Sequence, residues 1–296
     1  MFTSKKDRVF EGFINLTLII VLITALYPLY YTVIASISDP LMVTGGRVWL
    51  FPRNITMDSY KNVFANKEIW TGYSNTIIYT VLATSLDLAV TITCAYALSK
   101  KRLAGKNMIM GIFVFTMYFN GGLIPNYILI KSLGWVDTLW VMIIPGALSV
   151  YNMIITRTFY QNNVPDELYE AARIDGSTEI GMFFRIVIPL SAPIIAVMAL
   201  FYGVGHWNQF FNAMIYLNDH KLFPLQLILR NILLMNQQMV MDNMTTEQMD
   251  SIARRAQLAE TMKYALIFIS SFPVLVIYPF MQKYFVKGVM IGAIKG

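Results

Sequence analysis

Glu167-Leu-Tyr-Glu-Ala-Ala-Arg-Ile-Asp-Gly176, followed by a Phe-bearing stretch and then by Ile188-Pro-Leu-Ser-Ala-Pro193, reads as a short amphipathic helix with a breaker. It lies between two strongly apolar stretches. Pro165 comes just before it, where no amide donor is needed, and Asp166 and Glu167 complement the positive end of the helix dipole. Gly176 is suited to end it, because the left-handed turn that closes a helix is costly for other residues. Leu168, Ala171, Ala172 and Ile174 give a narrow apolar face, and the two alanines allow close approach of a partner. A surface-lying membrane helix would carry bulky apolar residues and a Lys/Arg-rich polar face. This one is acidic with small residues, so it reads as a docking helix, with Glu170 as an ionic contact to a basic group on the partner.

Composition sets the solvent. The chain has 296 residues, of which 56% are hydrophobic and 14% charged, with mean hydropathy +0.55. Soluble domains carry about 25% charged residues. Apolar runs of about 20 residues, enough to cross about 30 Å of hydrocarbon, recur along the chain. They are continuous rather than alternating, which argues for helices over a barrel. The single Cys94 rules out an internal disulfide and has no metal-site spacing. The lysines and arginines behind the net charge of +6 flank apolar spans, so they speak for membrane orientation and not for nucleic acid.

Six spans are expected within one membrane domain over residues 1–296. They lie near residues 13–36, 73–98, 108–130, 139–159, 186–216 and 261–285. The fifth is expected to break near Pro189, Pro193 or Gly203, and the sixth to kink at Pro273 and Pro279. The basic N-terminus, the Lys100-Lys101-Arg102 cluster and the basic C-terminus fall on one side of a six-span chain. That side is cytoplasmic by the positive-inside rule, and the Glu170 loop, about residues 160–187, falls there too. Residues 39–72 and 217–260 become outer loops. The second, about 44 residues long and helical toward residues 235–260, is long enough to contact a partner.

The loop pattern is Glu-Ala-Ala, a glycine four residues on, then Ile-x-x-Pro-Leu. It resembles the EAA loop of binding-protein-dependent ABC importer permeases. Asn120-Gly-Gly-Leu-Ile-Pro125, Asn162-Asn-Val-Pro-Asp-Glu-Leu168, Trp207-Asn-Gln-Phe-Phe-Asn212 and the tail Tyr284-Phe-Val-Lys-Gly-Val-Met-Ile-Gly-Ala-Ile-Lys-Gly296 are similar to the carbohydrate-uptake branch. Within that branch the chain resembles the maltose-type subunit with a Gly-rich tail, and the oligosaccharide permeases of the uronide type in Gram-positive bacteria.

The resemblance implies an all-α, six-helix type I importer permease in a bacterial cell membrane, with both termini cytoplasmic. It implies a second related permease, two ATPase subunits that bind ATP and Mg, an extracytoplasmic solute-binding protein and an oligosaccharide substrate. Glu167, Glu170, Ala171, Ala172, Asp175 and Gly176 would meet the ATPase. The tail, about residues 286–296 with Gly292, Lys295 and Gly296, would reach between the ATPases.

Aromatic faces and planar amides suit a sugar path. Tyr118, Asn120, Asn152, Tyr202, Trp207, Asn208 and Asn212 are the candidates. Positions 208 and 212, four apart on the fifth span, share a face. Asp87, the one acid deep in an apolar span, has no evident basic partner there and reads as a hydrogen-bonded structural acid. His206 likewise reads as structural. No phosphate-binding Gly-rich loop and no nucleophile–base set occurs, so the chain is not expected to be an enzyme and holds no cofactor of its own. An ion-gradient-driven transporter is the rival reading, and it would call for more intramembrane ionisable groups. A non-transporting scaffold is a third reading, but it leaves the polar residues near position 208 without a role.

Overall fold

A computed structural model describes residues 5–238, 261–280 and 282; the tail residues Gly292, Lys295 and Gly296 and the segment 239–260 lie outside the described residues. The described chain is helical, with no strand among the described residues. It divides into two units, residues 1–69 with 229–272 and residues 70–228 with 273–296.

The first unit opens with α1, Lys5–Ser36, whose most apolar window has none of its residues buried. A helix that is apolar all round and uncovered by its own chain has lipid or another subunit as its environment. Its C-terminal end packs with α2, Pro40–Thr44: Ile34, Ala35, Val43 and Val48 form a small core, with Tyr31 edge-on to Tyr264 at 5.6 Å. α3, Asp58–Ala65, is tied by Ser59, whose hydroxyl donates to Thr261 Oγ1 at 2.9 Å.

The second unit is built on α4, Lys67–Ser99, which runs as one long helix. The next apolar stretch does not. α5, Lys106–Tyr118, and α6, Leu123–Ser132, are bent by 111° at Asn120-Gly121-Gly122, where Gly122 has φ 87°. The expected fourth span is likewise broken into α7, Trp140–Ile143, and α8, Val150–Asn163. Pro145 and Gly146 (φ 83°) lie between them, and Ser149 caps α8 by accepting from the Asn152 amide at 3.3 Å. α9 is Asp166–Ile174. α10, Glu179–Leu190, contains a π-helical turn at Phe183–Val187, and α11, Ala192–Trp207, meets it at 79°. The break is at Ser191, between Pro189 and Pro193, and Gly203 lies inside an unbroken helix. The helix ends at Trp207, and α12, Phe211–Tyr216, is a separate element. Asn208 and Asn212 therefore do not share one helix face.

α13, Leu225–Gln238, and α14, Thr261–Phe280, complete the described helices. α14 continues through Pro273 and Pro279. Three helices are long and apolar enough to span a membrane, or five if each bent pair counts as one, so the described helices do not establish six.

Near its N-terminal end α4 grips the segment before α13. Asn75 Nδ2 donates to the carbonyls of Lys221 at 2.7 Å and Phe223 at 3.1 Å, and Tyr79 Oη donates to Leu222 O at 2.9 Å. The Leu225 amide donates to Thr76 Oγ1 at 2.8 Å. These bonds satisfy backbone groups that hydrocarbon could not. Gly72 permits the approach, since a Cβ there would stand 3.2 Å from Leu225 backbone atoms and 2.4 Å from Ile228 Cδ1. Gly72→Val should therefore destabilise the subunit by about 1–3 kcal/mol, the usual cost of overpacking. A lowered thermal midpoint in detergent would register it, with Ala83→Gly as a control for helix propensity.

Candidate functional site

A single core connects the middle of the second unit to α9. It takes Ile92, Ala95 and Leu98 from α4, Met153 and Tyr160 from α8, Tyr169 and Ala172 from α9, Met182, Phe183 and Val187 from α10, and Met198 and Tyr202 from α11. α9 is thus seated on the unit by Tyr169 and Ala172. The apolar face expected from the sequence is split. Ala172 is buried, but Leu168, Ala171 and Ile174 point outward, Ile174 at 87% exposure. Glu167, Glu170, Ala171 and Ile174 form an exposed stripe at the i, i+3, i+4, i+7 spacing.

Both ends of α9 follow from local sequence. Pro165 stands at the N-cap position rather than inside the helix. At the other end Asp175 is the C-cap, and Gly176 follows with φ 75°. The Ser177 amide donates to Ala172 O at 2.8 Å and the Gly176 amide to Arg173 O at 3.0 Å. This paired closure needs the left-handed residue that glycine supplies.

The cluster that fixes α9 to α4 was not evident from the sequence. Lys100 Nζ, just past the end of α4, lies 3.4 Å from the Tyr169 ring centroid, 4.2 Å from that of Tyr96 and 3.4 Å from Glu179 Oε2. Glu179 also accepts from Arg173 at 2.9 Å and from Tyr96 Oη at 3.2 Å. Lys101 pairs with Asp166 at the start of α9. The sequence shows Lys100-Lys101-Arg102 only as a topology signal. Glu179 and Arg173 sit six residues apart and share no helix.

Electrostatics follow the geometry. The Arg173 hydrogen bond is the main influence holding the Glu179 carboxyl below its ordinary range, and Lys101 does the same for Asp166. Burial lowers the Lys100 ammonium against the pull of Glu179, and burial pushes Tyr169 up to about 12. Cation–π contacts of this kind contribute about 0.5–2 kcal/mol. A cavity of about 430 Å³ opens between this cluster and the exposed Glu170.

The pathway candidates separate into two groups. Tyr202, Asn208 and Asn212 line one cavity of about 350 Å³, together with Asp87, His206 and Gln209. Tyr202 is also a strut, its hydroxyl 2.6 Å from Thr91 Oγ1 and accepting from the Ser149 amide at 3.2 Å. Trp207 is buried edge-on to Tyr73 at 5.6 Å and lines a different, apolar cavity with Gly203. Tyr118 is 83% exposed, Asn120 caps the Gly122 amide at 2.9 Å, and Asn152 is buried in α8. None of these three lines the 350 Å³ cavity. The absence of a basic partner for Asp87 is corrected, because His206 Nε2 lies 2.7 Å from Asp87 Oδ2. The two residues are 119 positions apart, and the one hint in sequence was that an intramembrane acid needs a partner. No group of residues suited to a metal occurs among the described residues.

A helical membrane unit with broken spans, a capped acidic helix held outside them and a polar cavity within is a transport subunit. Residues 69–291 match the family of binding-protein-dependent transport system inner membrane components, and the chain belongs to that family. It is 38% identical over 296 residues to protein LplC of Bacillus subtilis (strain 168), covering 100% of this chain and 98% of that protein. It is 36% identical over 291 residues to the polygalacturonan/rhamnogalacturonan transport system permease protein YtcP of the same organism, covering 98% and 100%. It also matches a crystal structure of a bacterial ABC transporter involved in import of the acidic polysaccharide alginate, with TM-score 0.85 and 35% identity over 96% of this chain and 99% of that one. The chain is therefore the non-catalytic membrane component of an ABC importer. The ion-gradient alternative gives way to this assignment.

A carboxylate whose folded-state value is depressed gives support above its ordinary value and loses it as pH falls through the lower one. For Glu179 the loss thus begins as pH falls through the usual carboxylate range and is complete below the depressed value. A spin label at position 171, with Cys94 replaced by serine, should report a constant, restricted α9 from pH 8 to 5. Glu179→Ala should raise its mobility across that whole range.

Proposed function

We propose that this subunit moves an oligosaccharide into the cytoplasm, driven by ATP that partner subunits hydrolyse. The observation that carries this reading is α9, a capped helix with an exposed stripe of Glu167, Glu170, Ala171 and Ile174. Its inner face is fastened to α4 by Lys100 and Glu179. A helix that is rigidly seated and outwardly acidic can take a push from a neighbour and pass it on. The sugar class is supported by YtcP, named for polygalacturonan and rhamnogalacturonan, and by the solved importer of alginate.

In this reading α9 docks on an ATPase subunit, with Glu170 facing a basic group there. Asp175 and Gly176 keep the docking helix short. Two ATPases hold ATP and Mg and close on binding them. A second, related permease completes the pathway, and an extracytoplasmic solute-binding protein delivers the sugar. The spread of lysine and arginine supports cytoplasmic termini and a cytoplasmic α9. Tyr202, Asn208 and Asn212 line the path; Trp207 backs it from the adjoining cavity, and Tyr118, Asn120 and Asn152 act elsewhere along it. The tail residues Gly292, Lys295 and Gly296 reach toward the ATPases.

Affinity purification of the chain from its own membrane, with mass spectrometry of what accompanies it, tests the assembly. A second permease and an ATPase should be recovered together. Glu170→Arg should lose the ATPase and keep the second permease. Undiminished ATPase recovery with Glu170→Arg would rule out the docking role of α9.

A further inference from the structure

Asp87, in the middle of α4, is 1% exposed. Its Oδ2 meets His206 Nε2 at 2.7 Å, while Oδ1 has no hydrogen-bond partner among the described residues. On the other side of the ring, His206 Nδ1 faces Gln209 Oε1 at 3.3 Å. The three side chains make a row that starts in the core of α4, passes through the last turn of α11 and ends in the link before α12. Gln209 lines the 350 Å³ cavity. With both ring nitrogens donating, Nε2 to the Asp87 carboxylate and Nδ1 to Gln209 Oε1, the Gln209 amide nitrogen is left as a donor toward that cavity.

The neighbouring amide is its complement. Asn208 Nδ2 donates back to Val204 O at 2.9 Å, which leaves Oδ1 as an acceptor at the same cavity. Phe210 and Phe211 add exposed rings to the wall. A hydroxyl both donates and accepts, so a donor amide beside an acceptor amide matches adjacent sugar hydroxyls. Aromatic rings suit the apolar C–H faces of the same molecule. A buried carboxylate paired with a ring that donates from both nitrogens is a poor device for stability, because desolvation offsets most of its attraction. As a support that fixes the orientation of a cavity-lining amide, the pair has a purpose.

We propose that Gln209 is a specificity-determining hydrogen-bond donor to a polyhydroxylated sugar in transit, and that Asp87 and His206 are its positioning residues. The proposal rests on the sugar-permease reading above. It gives a role to Gln209, which lies in the Trp207–Asn212 motif but is not among the pathway candidates read from the sequence.

The test uses the complete importer in proteoliposomes and a panel of labelled glucose and galacturonate oligomers. Gln209→Ala should lower uptake of the transported oligomer about tenfold, the size of one lost hydrogen bond. Asp87→Asn should lower it in the native background and have less than a further twofold effect when Gln209 is already alanine. That non-additivity is the signature of a row, since a general packing defect at Asp87 would add in both backgrounds. If Asp87→Asn fails to assemble, His206→Gln takes its place in the cycle. Native uptake by an assembled Gln209→Ala complex, or full additivity, would overturn the proposal. Absence of uptake of every oligomer by the unaltered complex would instead overturn the sugar-permease reading, and this proposal with it.

Discussion

The contact on which the rest depends is the seat of Lys100 between the rings of Tyr169 and Tyr96, closed by Glu179. A short helix of nine residues is marginal in isolation. α9 keeps its shape and direction because one cation, two rings and one carboxylate connect it to the end of a 33-residue helix. Each contact is modest, and half-exposed charges are screened. Their value lies in being mutual: Glu179 answers Lys100, Arg173 and Tyr96 at once. α9 also shares the core that reaches Tyr202. In the proposed mechanism, motion imposed on the exposed stripe is delivered to α4 and to the core beneath the polar cavity, rather than being absorbed by a loose loop.

The breaks in the helices follow from the solvent. A bend exposes carbonyls and amides that lipid cannot satisfy, so bends occur where side chains or the protein interior take them up. Asn120 caps Gly122, Ser149 caps α8, and Ser191 returns its hydroxyl to Val187 O at 2.5 Å. The grip of Asn75, Thr76 and Tyr79 on residues 221–225 is the same solution applied to an extended segment. The polar cavity is lined from these breaks, by Gly146 between α7 and α8 and by residues 208–212 after α11.

What could be read from the sequence was what local chemistry decides. The membrane class came from the apolar runs. Both ends of α9 came from Pro165 and Gly176, because caps involve only near neighbours. The family came from the Glu170-Ala171-Ala172 pattern and its companions. What could not be read depends on distant packing. Apolar runs do not report bends, so Asn120-Gly121-Gly122 and Pro145-Gly146 passed as parts of continuous spans, whereas Pro189 and Pro193 announced the break at Ser191. Tyr169 was not named on the apolar face of α9, yet it is buried in the core with its ring 3.4 Å from Nζ of Lys100, 69 positions away. Asp87 looked isolated because its histidine comes from a helix far along the chain.

The most direct measurement is the number of sugar molecules moved per ATP hydrolysed by the assembled importer carrying Glu179→Ala. If α9 passes motion through the Lys100 cluster, ATP hydrolysis continues while sugar moved per ATP falls sharply. If the ratio matches that of the unaltered complex, the cluster only stabilises the fold, and motion reaches the spans by another route.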